Sequence, residues 1–365
     1  MSKIEWTDKT WNPIAGCSIV SPGCTHCYAM KTAARLEAID AAKRAAGRKG
    51  MPHYAGLTQP SKAGPVWTGK IARASDETLT EPLRRKKPTM YFVNSMSDLF
   101  HEDVPDEWID QVFAVMALCP QHTFQVLTKR SARMRDYLAR DDAAQGWMET
   151  DIWRDADARC DADDDESKPQ SYHERTAQLD HVMARMLSDE SYLPLPNVWL
   201  GVSAERQQEA DARIPDLLAT PAAVRFVSAE PLLGPIDFTR RQSHPAGDRL
   251  SSRTWLDDID WIIVGGESGT NARPMHPDWA RSIRDQCADA GVAFFFKQWG
   301  EFSALGSWKD GERHLIAYRG ALTNKHVVSN EHAFLRVGKA HAGRLLDGRE
   351  HNEMPVIATK TSEAA

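Results

Sequence analysis

At 365 residues, with 45 Lys and Arg against 51 Asp and Glu, the chain carries a formal charge of −6. That balance excludes a global basic field, so nucleic-acid contact would need a local patch, and the length allows one barrel-sized domain or two smaller ones. No apolar run approaches a membrane span and the start, MSKIEWTDKTWNP, lacks a signal-peptide apolar core, so a cytoplasmic protein with no membrane partner is expected.

Lys3 to Ala15, with Trp6 and Trp11, reads as a short first strand ending at Gly16. The stretch Gly16 to Ala29 then holds Cys17, Cys24 and Cys27, spaced C-x6-C-x2-C around Pro22 and Gly23. A Cys-x2-Cys pair puts two sulfurs on one tight turn, and the Gly/Pro loop lets the third join them. Three thiolates without a fourth ligand suit a metal or cluster with one open position. Structural zinc closes with four ligands, whereas a four-iron cluster on three cysteines leaves one iron free. His26 could be a fourth donor by type, but beside Cys27 it is expected to point away. A zinc knuckle, a disulfide plus a spare thiol, and burial as small apolar residues are the competing readings. The turn-rich composition opposes burial, and a reducing cytoplasm opposes a disulfide. Cys119, Cys160 and Cys287 form no spaced framework; Cys119 and Cys287 read as core residues.

From Tyr28 the run YAMKTAARLEAIDAAKRAAG predicts a helix with Leu36 and Ile39 on one face and a stop near Gly47. Its N-terminus, at Cys27, would favour thiolates through the helix dipole. Residues 48–88 look like a long connection ending in the cations Arg84, Arg85, Lys86 and Lys87, a solvated run rather than a nucleic-acid contact. Strands are then expected at Thr89–Val93, Thr123–Leu127, Val198–Val202, Val224–Val227, Trp261–Val264 and Val292–Phe296. Helices are expected at Pro105–Leu118, Glu205–Leu218 and Pro277–Ala290. Short apolar strands alternating with helices indicate a parallel sheet buried on both faces, hence an α/β chain forming a partial or complete (β/α) barrel, with a doubly wound open sheet as the alternative.

Residues 140–172 break the rhythm: eight acids stand against two bases between Asp151 and Glu166. They read as a solvated acidic insertion, with amphipathic periodicity returning at Leu179, Val182, Met183, Met186 and Leu187. Residues 240–257 read as a polar surface loop. The barrel would span 1–300, and 301–365 would be a C-terminal extension packed on it. There Gly338 to Arg349 interleaves glycines with cations, as either a phosphate-binding segment or a twisted hairpin.

Polar residues recur after nearly every strand: Asn94, Ser95 and Asp98; Lys129 and Arg130; Ser203 and Glu205; Ser228 and Glu230; Gly265, Gly266, Glu267 and Ser268; Lys297 and Gln298. In a parallel barrel these converge on the carboxyl-end face, where ligands bind, and the cysteine loop would open onto the same face.

With Cys17, Cys24 and Cys27 followed by Tyr28-Ala29, SAEPLLG (228–234), WIIVGGESG (261–269), FFKQWG (295–300) and GRLLDGR (343–349), the sequence resembles a phage-associated three-cysteine-motif family of unknown function. That family is itself similar to radical S-adenosylmethionine enzymes, whose usual loop is C-x3-C-x2-C with an aromatic before the last cysteine. Here the first gap is six residues, and His26 takes the aromatic position. The resemblance implies a radical-enzyme-like barrel, cytoplasmic in the host cell if phage-encoded. It implies a 4Fe–4S cluster on Cys17, Cys24 and Cys27, S-adenosylmethionine as cofactor, and hydrogen abstraction by a 5′-deoxyadenosyl radical. Asn94, Ser95 and Asp98 would meet the methionine amine; Ser203, Glu205, Ser228 and Glu230 would hold ribose and carboxylate. Gly265 and Gly266 would allow close backbone approach, with Glu267 as a polar contact. Lys129, Arg130 and Lys297 are candidates for a negatively charged substrate, a nucleic acid or nucleotide by phage association. A three-Cys-motif partner protein is implied as well. Two other classes stay open: a divalent-metal hydrolase or nuclease using Asp98, Glu205, Glu230 and Glu267, and a non-catalytic zinc- or cluster-bearing nucleic-acid-binding module.

Overall fold

A computed structural model describes residues 4–161, 193–244, 247–307, 326–329 and 332–356. The chain divides into two compact units. One comprises Met1–Val20, Cys27–Val202 and Ala219–Ala223; the other comprises Ser21–His26, Ser203–Leu218 and Val224–Ala365.

In the first unit β1 (Lys9–Trp11) and β2 (Ile14–Ala15) lead through the cysteine loop to α1 (Tyr28–Ala45). The hairpin β3 (Thr58–Ser61) and β4 (Gly64–Trp67), then β5 (Ala72–Arg73) and α2 (Asp76–Leu79), follow. Next come β6 (Met90–Val93), α3 (Asp106–Ala117), β7 (Thr123–Thr128), α4 (Ser131–Leu138), α5 (Ala143–Met148), α6 (Asp151–Asp161) and β8 (Val198–Ser203), whose last residue counts with the second unit. Strands β1, β6, β7 and β8 lie side by side, all parallel: Trp11 pairs with Val93, Val93 with Val126, and Val126 with Leu200. Every residue of β8 is buried, which is why these strands read as continuous apolar runs without alternation. Parallel register also puts their carboxyl ends on one edge, so Asn12, Asn94 and Lys129 all emerge there.

Helix α1 buries Ala29, Met30 and Ala33 against Tyr54, Leu57, Trp67 and Met96, with Cys17, Cys27 and Leu36 packed beside them. Leu36 lies on the packed face as expected, between Ala33 and Asp40, and Ile39 is half-buried. At the far end Asp40, fully buried, accepts from Met51 N–H at 2.5 Å and Arg44 Nε at 2.8 Å. The stretch 48–88 is not a bare connection. Its hairpin pairs Pro60 with Pro65, and prolines at paired positions are what hid the strand pattern.

The acidic insertion is not wholly solvated: it begins with α5 and α6. Trp147 of α5 is fully buried, stacks on Phe113 (centroids 4.9 Å apart) and donates its indole N–H to Tyr137 Oη at 2.9 Å; Trp153 of α6 is buried too. Aromatic residues among the acids turn this part into packed helices. The remainder of the insertion, and the periodic stretch Leu179 to Leu187, lie outside the described residues.

In the second unit α7 (Gln207–Ala219), whose last residue counts with the first unit, precedes β9 (Val224–Ala229). The hairpin β10 (Arg241–His244) and β11 (Gly247–Thr254) occupies the expected surface loop. Then come β12 (Trp261–Gly265), α8 (Pro277–Ala290) and β13 (Ala293–Gln298). Strands β9, β12 and β13 are parallel neighbours, with Phe226 beside Trp261 and Ile263 beside Phe295. β14 (Phe302–Ser307), β15 (His326–Ser329) and β16 (His332–Arg336) form an antiparallel sheet in the order β14-β16-β15. Cys119 and Cys287 are fully buried, as expected of core residues. The protein is thus mixed α/β with seven parallel strands among the described residues, the complement of a partial barrel rather than of a closed eight-stranded one. No helix among them is long and apolar enough to cross a membrane.

Candidate cysteine-loop site

In the first unit, two asparagines just past strand ends anchor the start of the loop. Asn94, in left-handed backbone at φ 56°, donates its N–H to Trp11 O (2.8 Å) and accepts from Ile14 N–H at Oδ1 (3.2 Å). Its Nδ2 is buried with no hydrogen-bond partner. Asn12 Oδ1 accepts from Ser95 Oγ (3.0 Å) and Met96 N–H (3.1 Å). Gly16 turns the chain at φ 98°; a Cβ there would sit 2.0 Å from Lys70 O, so only glycine opens the loop. At the loop's other end Tyr28 Oη donates to Ser95 O at 3.0 Å.

Asp98 and Arg130 join the ends of β6 and β7 beside Cys17. Asp98 accepts from Phe100 N–H (3.1 Å), Thr128 Oγ1 (2.6 Å), Lys129 N–H (2.9 Å) and Arg130 Nη1 (3.2 Å). Arg130 also reaches Cys17 Sγ (3.5 Å), Ser18 Oγ (2.6 Å) and Glu102 (3.0 Å). His101, buried, accepts from Asp103 N–H at Nδ1, so Nε2 is the proton-bearing nitrogen that meets Ser18 Oγ at 2.9 Å. Burial and then Arg130 hold His101 below the ordinary histidine value. Burial first, then Asp98, pushes the Cys17 thiol up to about 12; Arg130 opposes both, and Cys27 adds a further rise. Cys27 thus stands close enough to Cys17 for their charges to interact.

In the second unit Ser21–His26 contains a 3₁₀ turn, Pro22–Cys24, built around Glu205. Ser21 Oγ donates to Glu205 Oε1 (2.6 Å) and lies 3.7 Å from Cys24 Sγ, while Cys24 N–H returns to Ser21 O (2.9 Å). A Cβ on Gly23 would fall 2.2 Å from Glu205 Oε1, so the turn can press onto the carboxylate only through glycine. Arg213 Nη1 donates to Glu205 Oε2 (3.1 Å) and Ser203 O (2.8 Å), compensating a carboxylate with no exposed surface. Glu267 is clasped by Arg273 at Nε–Oε2 2.8 Å and Nη2–Oε1 2.7 Å, and Arg273 Nη2 also donates to Pro22 O (2.9 Å). Burial alone would raise Glu267, but the Arg273 hydrogen bonds and charge outweigh it and hold the carboxyl below its usual value. His26 Nδ1 is 3.3 Å from Glu267 Oε1, within ion-pair range, so His26 faces a carboxylate. Glu230 pairs with Lys297 (3.1 Å) and accepts from Ser228 Oγ (3.2 Å).

None of Cys17, Cys24 and Cys27 is in a disulfide. Among the described residues no three His, Cys, Asp or Glu side chains are grouped so as to hold one metal ion. By donor type alone, three cysteines on one eleven-residue stretch, two of them packed on the same apolar cluster, are what an iron–sulfur group takes.

A family model described as protein of unknown function (DUF5131) matches residues 1–355. The chain belongs to the DUF5131 family. No curated protein and no solved structure matches it.

For this DUF5131 protein the structure gives several strand-end residues other partners than expected. The space above Gly265 is filled by Glu230, whose Oε1 would be 2.2 Å from an added Cβ, and that above Gly266 by Trp299 O at 2.0 Å. These glycines admit the protein's own groups. Arg130 and Lys297, expected to meet an anionic substrate, are in ion pairs with Asp98 and Glu230, and Lys129 anchors Asp98 through its backbone N–H. Asn12, Ser18, Ser21, His101, Glu102, Arg213 and Arg273 were not anticipated. One signal was present: an arginine follows Glu205 and Glu267 within eight residues, at helical or turn range.

Proposed function

We propose that this DUF5131 protein is a radical S-adenosylmethionine-type enzyme of the cytoplasm in which Cys17, Cys24 and Cys27 hold a 4Fe–4S cluster. The observation that carries this reading is the loop itself: three cysteines in eleven residues, none in a disulfide, with the Arg130 guanidinium 3.5 Å from Cys17 Sγ. The chemistry such a cluster supplies when bound is one-electron reduction of S-adenosylmethionine. The protein's residues would prepare the surroundings. Arg130 favours thiolate at Cys17 against burial and the Asp98 charge, and Asp98 with Glu102 fixes Arg130 there. Asn94 has its amide N–H groups unpartnered, while Oδ1 already accepts from Ile14 N–H. It suits the carboxylate of an amino-acid ligand rather than the amine. A substrate of nucleic-acid or nucleotide class, a radical-enzyme-like partial barrel and a three-Cys-motif partner protein complete the proposal.

The test is cleavage of S-adenosylmethionine to 5′-deoxyadenosine and methionine by anaerobically reconstituted, dithionite-reduced protein. Wild type should cleave and Cys24→Ala should not; cleavage retained in Cys24→Ala contradicts the proposal. The divalent-metal hydrolase reading has less support, because Glu205, Glu230 and Glu267 are each paired with a cation of the protein. Magnesium-dependent hydrolysis surviving Cys24→Ala would revive it. A zinc-bearing binding module would instead contain one zinc and no iron.

A further inference from the structure

Away from the cysteine loop, the second unit contains a cavity of about 330 Å³ walled by α8, β13 and the C-terminal segment. That volume is at the lower end for small-molecule sites. We propose that it binds an oxyanion, a free phosphate or the phosphate of a mononucleotide, and that Arg349 is the residue that grips it.

The reason is which charges on the wall are committed. Asp347 accepts from Arg281 at 2.8 Å and Arg284 at 2.5 Å, and Arg284 also bonds Asp285 at 2.8 Å. Glu353 gives Oε2 to the Phe294 N–H at 3.0 Å. Arg349 has no ion-pair partner among the described residues. Its guanidinium lies on the His351 ring, with Nε 3.3 Å from Nε2 and Nη2 3.3 Å from Nδ1. Burial, then the Arg349 charge, holds His351 below its usual value, so it brings no charge of its own at neutral pH.

The backbone fixes this arginine in place. Leu346 N–H donates to Arg349 O (3.0 Å) and Arg349 N–H to Leu346 O (3.3 Å), with Asp347 at φ 52° and Gly348 at φ 82°. Positive φ at both central residues is the two-residue Asp-Gly turn of tight hairpins, so Arg349 starts from a rigid position. A guanidinium set this way offers parallel N–H donors matched to phosphate. Two carboxylates also line the wall, Asp347 (bonded to Arg281 and Arg284) and Glu353, so binding should be weak, with a Kd on the order of 1 mM, about −4 kcal/mol.

The experiment is calorimetric titration of the full chain with inorganic phosphate, AMP and adenosine. Phosphate and AMP should bind one site and adenosine should not. AMP binding more tightly than phosphate would identify the nucleotide as the source, and equal affinities the free ion. Arg349→Gln should weaken both by about tenfold or more with an unchanged melting temperature, and Arg349→Lys should recover part of the loss. Wild-type protein that binds neither anion, or Arg349→Gln protein that melts normally and binds as tightly as wild type, overturns the proposal.

Discussion

A single methyl group at position 23 probes how closely the loop is built on Glu205. The added Cβ would stand 2.2 Å from Oε1, 2.5 Å from Cγ and 2.7 Å from Cδ of a side chain already pinned by Ser21 and Arg213. Gly23→Ala should therefore cost about 1–3 kcal/mol, read as a lowered urea midpoint. An unchanged midpoint would mean the turn can lift off the carboxylate. Asp98→Ala should cost more, about 3–5 kcal/mol, because Arg130 would remain buried without its main counter-charge. His122, 1 % exposed and facing Pro82 O at 3.2 Å, is held by burial below the ordinary value of about 6.5. The unfolded chain then binds the proton first, so this contribution to stability is whole above pH ~6.5 and is lost as pH falls below it. Urea midpoints measured from pH 7.5 down to about 5.5 should fall, and should fall less steeply in His122→Asn. Equal slopes would show that His122 protonates as easily folded as unfolded.

At the scale of elements, the informative case is α5. If Trp147 is core, Trp147→Ala should lower stability by about 3–5 kcal/mol and Glu149→Ala should do almost nothing. Equal small effects would restore a solvated insertion. The parallel strands were legible because each is a short apolar run buried on both faces, and α8 was legible to the residue because Pro277 opens it and Gly291, at φ 70°, ends it. What stayed hidden was partnership across the fold. Nothing local in Asp98 indicates that a strand thirty residues on returns Arg130 to it, so both read as open ligand contacts. The same holds for Glu230 and Lys297, whose pairing needs Gly265 to leave a gap on the strand between them. In α5 and α6 the density of acids masked two buried tryptophans, a case where composition misleads and aromatic spacing informs.

For the molecule as a whole, membership of the DUF5131 family covers residues 1–355, so the cysteine loop, the seven parallel strands and the Asp347-Gly348 turn all belong to the matched region. The charge of −6 leaves any anionic ligand dependent on local cations, and most of the strand-end cations described above are already paired. This concentrates the functional question on the loop. The most direct test is the iron, sulfide and zinc content per chain of anaerobically purified wild-type protein and of a Cys17→Ala, Cys24→Ala, Cys27→Ala triple variant. The account predicts about four iron and four sulfide per wild-type chain, with neither in the variant. One zinc and no iron in wild type, or iron retained after loss of all three cysteines, would contradict it.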